Sequence, residues 1–379
     1  RDIMKPLKYL FISSMLFVAT SCGNSWLDLE PSTSVDTETS IKILSDVEFT
    51  LNGIYSTMQS SDAYSGRLVY YGDVTGDDMQ AVSSTKRVAN YYRFNFTKDD
   101  NPSSHWSYLY SIIQNCNLIL MNIDKLVIDE DDKAYRDDLK GEALAIRGLA
   151  LFDLTRIFGY PYLKDNGASL GVPIIEGLST IDSKPTRNTV AQCYTKIIDD
   201  LTQSLSLLGE KFNKGKINKW GAMVLLSRVY LYKGENANAL KMASDAIIGA
   251  EKNKYALWTN EDYPTAWGED ASASKPGEVL FEIVNLTTDS PGKESMGYLN
   301  SYDGYDDMCI TCSFYQFLKE DPKDIRLKLL SFDKKYYAYV NKYQPQREEN
   351  IEDANIPLIR LSEAYLNAAE AAVKENDND

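Results

Sequence analysis

The chain has 379 residues, 44% of them hydrophobic and 25% charged, which is ordinary globular composition and too apolar for a disordered tail. Forty Lys and Arg against 55 Asp and Glu give a formal net charge of −15, which argues against nucleic acid as a partner and against a polybasic membrane patch. His105 is the only histidine, so multi-histidine metal sites are excluded and a Ser-His-Asp triad would have to use this one residue.

Residues 1–21 read as a signal peptide, with Met4 as the initiator. Lys5 and Lys8 form a basic start, and Tyr9 to Ala19 is a mainly apolar run, too short to span a bilayer as a helix. Ala19, Thr20 and Ser21 then lead to Cys22, as in a bacterial lipobox, although Ala19 stands where Leu is usual. Cys22 is the expected lipidation site, and an ordinary signal peptide with a chance Cys is the alternative. Residues 22–40 are rich in Ser, Thr and Asp and read as a lipidated tether.

The domain proper is expected over 41–379. A helix is predicted from about Ser45 to Gln59, with Val47, Leu51, Ile54, Tyr55 and Met58 on one stripe. Residues 60–104 have no clear period and read as a loop region with room for short strands. Helical faces come next at Leu109 to Ile123, at Asp138 to Phe158 (stopped by Gly159 and Pro161) and at Thr189 to Leu208. Two more run from Trp220 to Lys233 and from Ala237 to Glu251, broken at Gly234, and a last one from Leu358 to Lys374. Tyr108, Tyr230 and Tyr365 lie on helical stripes and are assigned to the core.

Ser227, Tyr230, Gly234, Ala239 and Ala243, and again Ser362, Tyr365 and Ala369, place small residues and an aromatic at tetratricopeptide-like spacing. Generic helix packing is the alternative. Residues 255–345 lose helical period and hold Trp258, Tyr263, Trp267, Tyr298, Tyr302, Tyr305 and Tyr315, with one short strand expected over Glu278 to Val284. The fold class is therefore mostly α, a tetratricopeptide-like scaffold of helical pairs with loop insertions at about 60–104 and 255–345. Cys309 and Cys312 form a lone CxxC that reads as a chance pair or one local disulfide rather than a zinc site. Asp303, Asp306 and Asp307 lack the EF-hand spacing and read as a solvated acidic loop.

Eight segments in order carry a family resemblance. They are WLDLEP (26–31), HWSYLYSIIQNCNLIL (105–120), GEALAIRGLALFDLTRIFGYPYL (141–163), PTRNTVAQCYTKIIDDL, KINKWGAMVLLSRVYLYKG, GEVLFEI, DPKDIR and IPLIRLSEAYLNAAEA. Together they resemble the SusD/RagB-like outer-membrane nutrient-binding lipoproteins of Bacteroidetes. The resemblance implies a cell-surface lipoprotein on the outer membrane that captures oligosaccharides for a SusC-like TonB-dependent transporter, without catalysis or cofactor. Peptide capture, as in RagB-like members, and a non-catalytic helical-repeat adaptor are the alternatives. Family members usually continue well beyond the LSEAYLNAAEA helix, so a truncated C-terminus is expected here, leaving Leu358, Leu361, Tyr365, Leu366 and Ala369 in need of cover.

A sugar ring is held by a flat aromatic against its CH-rich face and by amide or carboxylate groups at its hydroxyl rim. The ligand-binding candidates are Tyr91, Tyr92, Trp258, Trp267, Tyr298, Tyr302 and Tyr305, with Asp77, Asp78, Asn90 and Asn300 as polar partners. Trp258→Ala and Tyr302→Ala are expected to weaken glycan binding with little change in melting temperature. No catalytic residue and no metal ligand is assigned.

Overall fold

A computed structural model describes residues 40–96, 102–180, 182–268, 276–333, 337–345 and 350–375. Cys22 and the signal segment lie outside the described residues. Residues 1–42 and 43–379 separate as two units, and every described helix and strand belongs to the second.

Eleven α-helices are described: α1 (Leu44–Met58), α2 (Arg67–Val74), α3 (Ala89–Tyr92), α4 (Pro102–Asn122), α5 (Lys133–Phe158), α6 (Val190–Leu207), α7 (Lys219–Lys233), α8 (Asn236–Lys252), α9 (Met296–Leu299), α10 (Cys312–Lys319) and α11 (Leu361–Glu375). Six short strands accompany them: β1 (Met79–Ala81), β2 (Val279–Ile283), β3 (Met308–Ile310), β4 (Leu330–Phe332), β5 (Ala338–Val340) and β6 (Ile356–Arg360). No described helix is long and apolar enough to cross a membrane.

The long helices form a layered array in which α4 packs on α5, α5 on α6, α6 on α7, α7 on α8 and α8 on α11, with α1 against α4 and α5. Each has a sequence reason. α1 buries Val47, Leu51, Ile54 and Met58 at helical spacing, and the Asp46 carboxylate accepts the Ile43 N–H at its start. α6 opens with a capping box, in which Thr189 Oγ1 accepts the Gln192 N–H at 3.2 Å and Gln192 Oε1 accepts the Thr189 N–H at 2.9 Å. Gly234 ends α7 in the left-handed region (φ +81°), where a side chain is unwelcome, and the chain turns straight into α8.

α5 is the central helix, and Gly141 to Thr155 are all buried. A helix apolar on one stripe lies at a surface; one buried all round needs neighbours on every side. Its glycines admit those neighbours. A Cβ at Gly148 would lie 3.0 Å from Leu201 Cγ, and one at Gly141 would lie 2.9 Å from Leu208 Cγ, both in or beside α6. α8 presents Ala239, Ala243, Ala246 and Ala250 to the interior, and at Gly249 it lets the Trp220 ring lie directly on its backbone. α11 seats Leu361, Ala364, Asn367 and Ala371 against this layer, and Asn367 Nδ2 donates to Ser227 Oγ at 2.8 Å.

The region from 60 to 104 carries α2, β1 and α3 rather than plain loop: Tyr70, Val74 and Tyr91 are buried, and the Tyr70 and Tyr91 rings meet edge to face at 5.7 Å. β1 pairs antiparallel with β3, Gln80 opposite Cys309, so the two irregular regions are joined. β2 falls inside the predicted strand and pairs antiparallel with β6. Leu358 to Arg360, read from the sequence as helix, belong to β6; Pro357 disfavours helix immediately before them, and α11 begins at Leu361. Tyr365 is exposed rather than core, with its hydroxyl donated to Glu251. The free Cys309 thiol is buried on β3 and that of Cys312 is exposed. The acidic loop is not simply solvated: Asp306 faces Lys86 at 3.6 Å, and the buried Asp307 faces Arg87 at 3.3 Å.

Candidate functional site

The residues after α8 fold into a compact aromatic group. Trp258, Tyr263 and Trp267 meet edge to face, with ring centroids 5.0–6.1 Å apart. Short-range bonds set them: Trp258 N–H donates to Glu278 Oε2 at 2.9 Å, and Thr259 Oγ1 donates to Asp262 Oδ2 at 2.7 Å. Arg360, at the end of β6, lies over Trp267 at 4.8 Å and donates to Glu278 Oε1 at 2.8 Å. Gln344 Nε2 reaches the Pro264 carbonyl at 2.6 Å and fastens the 343–345 segment to this group.

Trp267 and Tyr263 form one wall of a recess of about 210 Å³. Tyr343, Lys342 and Val340 supply another side, Phe314, Leu318 and Leu329 the apolar floor, and Asp73, Asp78, Asn300, Arg326 and Arg360 the polar groups. Asn300 is 3% exposed and donates Nδ2 to the Val340 carbonyl at 2.6 Å, while its Oδ1 has no partner. Trp267 is 7% exposed and its Nε1–H is also without a partner. A buried acceptor and a buried donor without partners are costly, and both belong to residues that line this one recess. Burial pushes the Asp73 carboxyl upward, with Lys342 opposing, and burial pushes the Tyr343 hydroxyl up to about 12. Asp324 accepts from Arg326 Nε and Nη2 through both carboxylate oxygens and raises its pKa.

The recess gathers three of the sequence candidates: Trp267, Asn300 and Asp78. Trp258 stands behind Trp267 as support. Tyr298 and Tyr305 stack edge to face at 4.9 Å in a separate cluster, where Arg87 covers Tyr305 at 3.9 Å. Tyr302 is 47% exposed and leans on Tyr339. Tyr92 and Asn90 are exposed on α3 and do not line the recess. Asp77 is exposed too, and its carbonyl accepts from Thr311 Oγ1 at 2.8 Å. Tyr91 corrects the expectation of an open ring: it is 1% exposed and packed among Tyr70, Tyr71 and Phe96, so it has no face for a ligand. His105 is near the start of α4, fully buried, with Nδ1 3.2 Å from the Asp62 carbonyl; burial lowers its pKa.

Sequence reasoning missed Tyr263, Tyr343, Lys342, Asp73, Arg326 and Arg360 as site residues. Two of them sit in motifs already singled out, Arg326 ending DPKDIR and Arg360 inside IPLIRLSEAYLNAAEA, yet nothing in those motifs says which cavity they face. No group of His, Cys, Asp and Glu suited to a metal ion is found among the described residues.

A layered array of helical pairs with an aromatic recess in its irregular part defines a protein of the tetratricopeptide-like helical class. Residues 25–231 match the SusD-like family described as starch-binding and associating with the outer membrane, and the chain belongs to that family. It resembles SusD-like protein P2 of Formosa agariphila, at 28% identity over 313 residues, 79% of this chain and 57% of that one. The chain spans about half the length of the curated relatives it matches. Among solved structures, a candidate sugar-binding protein of Bacteroides vulgatus is 83% identical, with a TM-score of 0.88, covering 90% of this chain and 76% of that one. A SusD superfamily protein of Bacteroides thetaiotaomicron is 36% identical, with a TM-score of 0.82, covering 89% and 77%. A laminarin-binding SusD-like protein shares the fold at 19% identity and a TM-score of 0.70, covering 87% and 80%.

Proposed function

We propose that the protein captures oligosaccharides at the outer membrane, without turning them over, and passes them to a SusC-like TonB-dependent transporter. Cys22 carries the lipid that holds it at the cell surface. The observation that carries the binding role is the Trp267 recess, where an aromatic wall meets the unpartnered Asn300 Oδ1 and Trp267 Nε1–H. A pyranose ring presents to such a wall the CH face that stacks and to such atoms the hydroxyls that bond. The sugar-binding description of the 83% identical Bacteroides vulgatus protein supports the same reading.

Calorimetric titration of the chain with laminari-, malto- and acidic oligosaccharides, and with a peptide library as contrast, tests this. Oligosaccharide binding that falls at least tenfold in Trp267→Ala is the expected result. Peptide binding without any oligosaccharide binding, or full glycan affinity in Trp267→Ala, overturns it.

A further inference from the structure

The recess brings cationic side chains together in an acidic chain. The chain as a whole is at −15, yet three cationic side chains, Arg326, Lys342 and Arg360, face the recess with only two carboxylates, Asp73 and Asp78. The cations are not equivalent. Arg326 is fixed by Asp324 at 2.6 Å and Arg360 by Glu278 at 2.8 Å, both partners standing outside the lining. Among the described residues no carboxylate lies within ion-pair distance of Lys342. Its neighbours are the Tyr343 ring, 5.2 Å from Nζ, and Asp73, which acts on it across a longer gap. Burial pushes the Asp73 carboxyl upward, and the Lys342 ammonium opposes that. A half-buried lysine between an aromatic ring and an open cavity invites an anion.

Resting on glycan capture at this recess, we propose that the preferred ligand is an anionic sugar, whose carboxylate or sulfate ester is held by Lys342 while the ring stacks on the Trp267 wall. Arg326 and Arg360 are already matched by Asp324 and Glu278, so the charge offered to a ligand anion is that of Lys342. Asn300 Oδ1, an acceptor only, takes a ring hydroxyl and not the anionic group.

The test compares three probes by calorimetry at low and high salt: an oligogalacturonide carrying carboxylates, a carrageenan oligosaccharide carrying sulfates, and a neutral malto-oligosaccharide. At least one anionic probe is expected to bind tenfold or more tightly than the neutral one at low salt, with the gap closing as salt rises. The tighter anionic probe distinguishes carboxylate from sulfate. Lys342→Met is expected to close the gap by weakening the anionic probes at least tenfold more than the neutral one, and Lys342→Arg to restore it in part, which separates lost charge from lost folding. Neutral binding equal to or tighter than both anionic probes, with Lys342→Met silent, overturns the charge assignment and leaves glycan capture standing. Failure of all three probes overturns both.

Discussion

Arg147 on α5 donates two parallel hydrogen bonds to Asp200 on α6, at 2.8 and 2.6 Å, and both side chains are buried. The third arm of the guanidinium reaches Asn117 Oδ1 on α4 at 2.8 Å. Asn117 in turn donates to the carbonyls of Ile175 and Gly177. Four parts of the fold thus meet at one charge pair, and Lys196 closes it at 3.3 Å from Asp200. Removing one partner strands the other charge in the interior. Asp200→Ala is expected to lower unfolding free energy by about 3–5 kcal/mol, measured by urea denaturation. A loss below about 1 kcal/mol would show the pair to be solvated.

Two glycines test how tightly the helices approach. A Cβ at Gly249 would sit 2.1 Å from Trp220 Cζ3, whereas one at Gly53, on the exposed side of α1, would meet nothing within 4 Å. Gly249→Ala is expected to destabilise by about 1–3 kcal/mol through displacement of the indole. Gly53→Ala is expected to stabilise by about 0.5–1 kcal/mol, because only backbone entropy changes. Opposite shifts in melting temperature check both.

Burial pushes the Glu142 carboxyl from its ordinary value of 4.5 up to about 7, with Lys216 and the Tyr55 hydroxyl opposing. Between those two pH values the folded protein holds a proton that the unfolded chain has released. Stability therefore declines as pH rises through that window, and the loss is complete above the upper value. Glu142→Gln is expected to flatten the decline and to exceed the parent at pH 8 by about 2 kcal/mol. Denaturation curves at pH 5 and pH 8 measure it; a parent equally stable at both would contradict the assignment.

Trp258 and Tyr302 are equivalent candidates in the sequence, and their surroundings part them. Trp258 supports Trp267 from behind, and Tyr302 is half open to solvent. Trp258→Ala is expected to lower the melting temperature by several degrees as well as to weaken glycan binding, since it removes the partly buried ring packed on Tyr263 and Trp267, a loss of about 1–3 kcal/mol. Tyr302→Ala is expected to melt with the parent. Differential scanning calorimetry on the two variants decides it.

The helices were legible because their signals are local. Val47, Leu51, Ile54 and Met58 declare a period, Thr189 and Gln192 declare a start, and Gly234 declares an end. β6 was not, because Leu358 to Arg360 continue an apolar run and only their pairing with β2 makes them a strand. The site was half legible. An aromatic-rich irregular stretch pointed to Trp267, but composition cannot tell an open ring from a buried one, and Tyr91 went to the interior because Tyr70, Tyr71 and Phe96 surround it. Lys342 was invisible, since its meaning comes from what stands more than a hundred residues away at Asp73 and Asp78.

The pairing of β2 with β6 brings Ile283 and Ile356 side by side, so the stretch between them leaves the helical stack and returns to nearly the same point. A detour whose two ends are already clamped puts little demand on the helices for its contents. Exchanges inside this segment are therefore expected to leave the helical stack folded, while the Trp258, Tyr263 and Trp267 group, which precedes β2, stays with the frame.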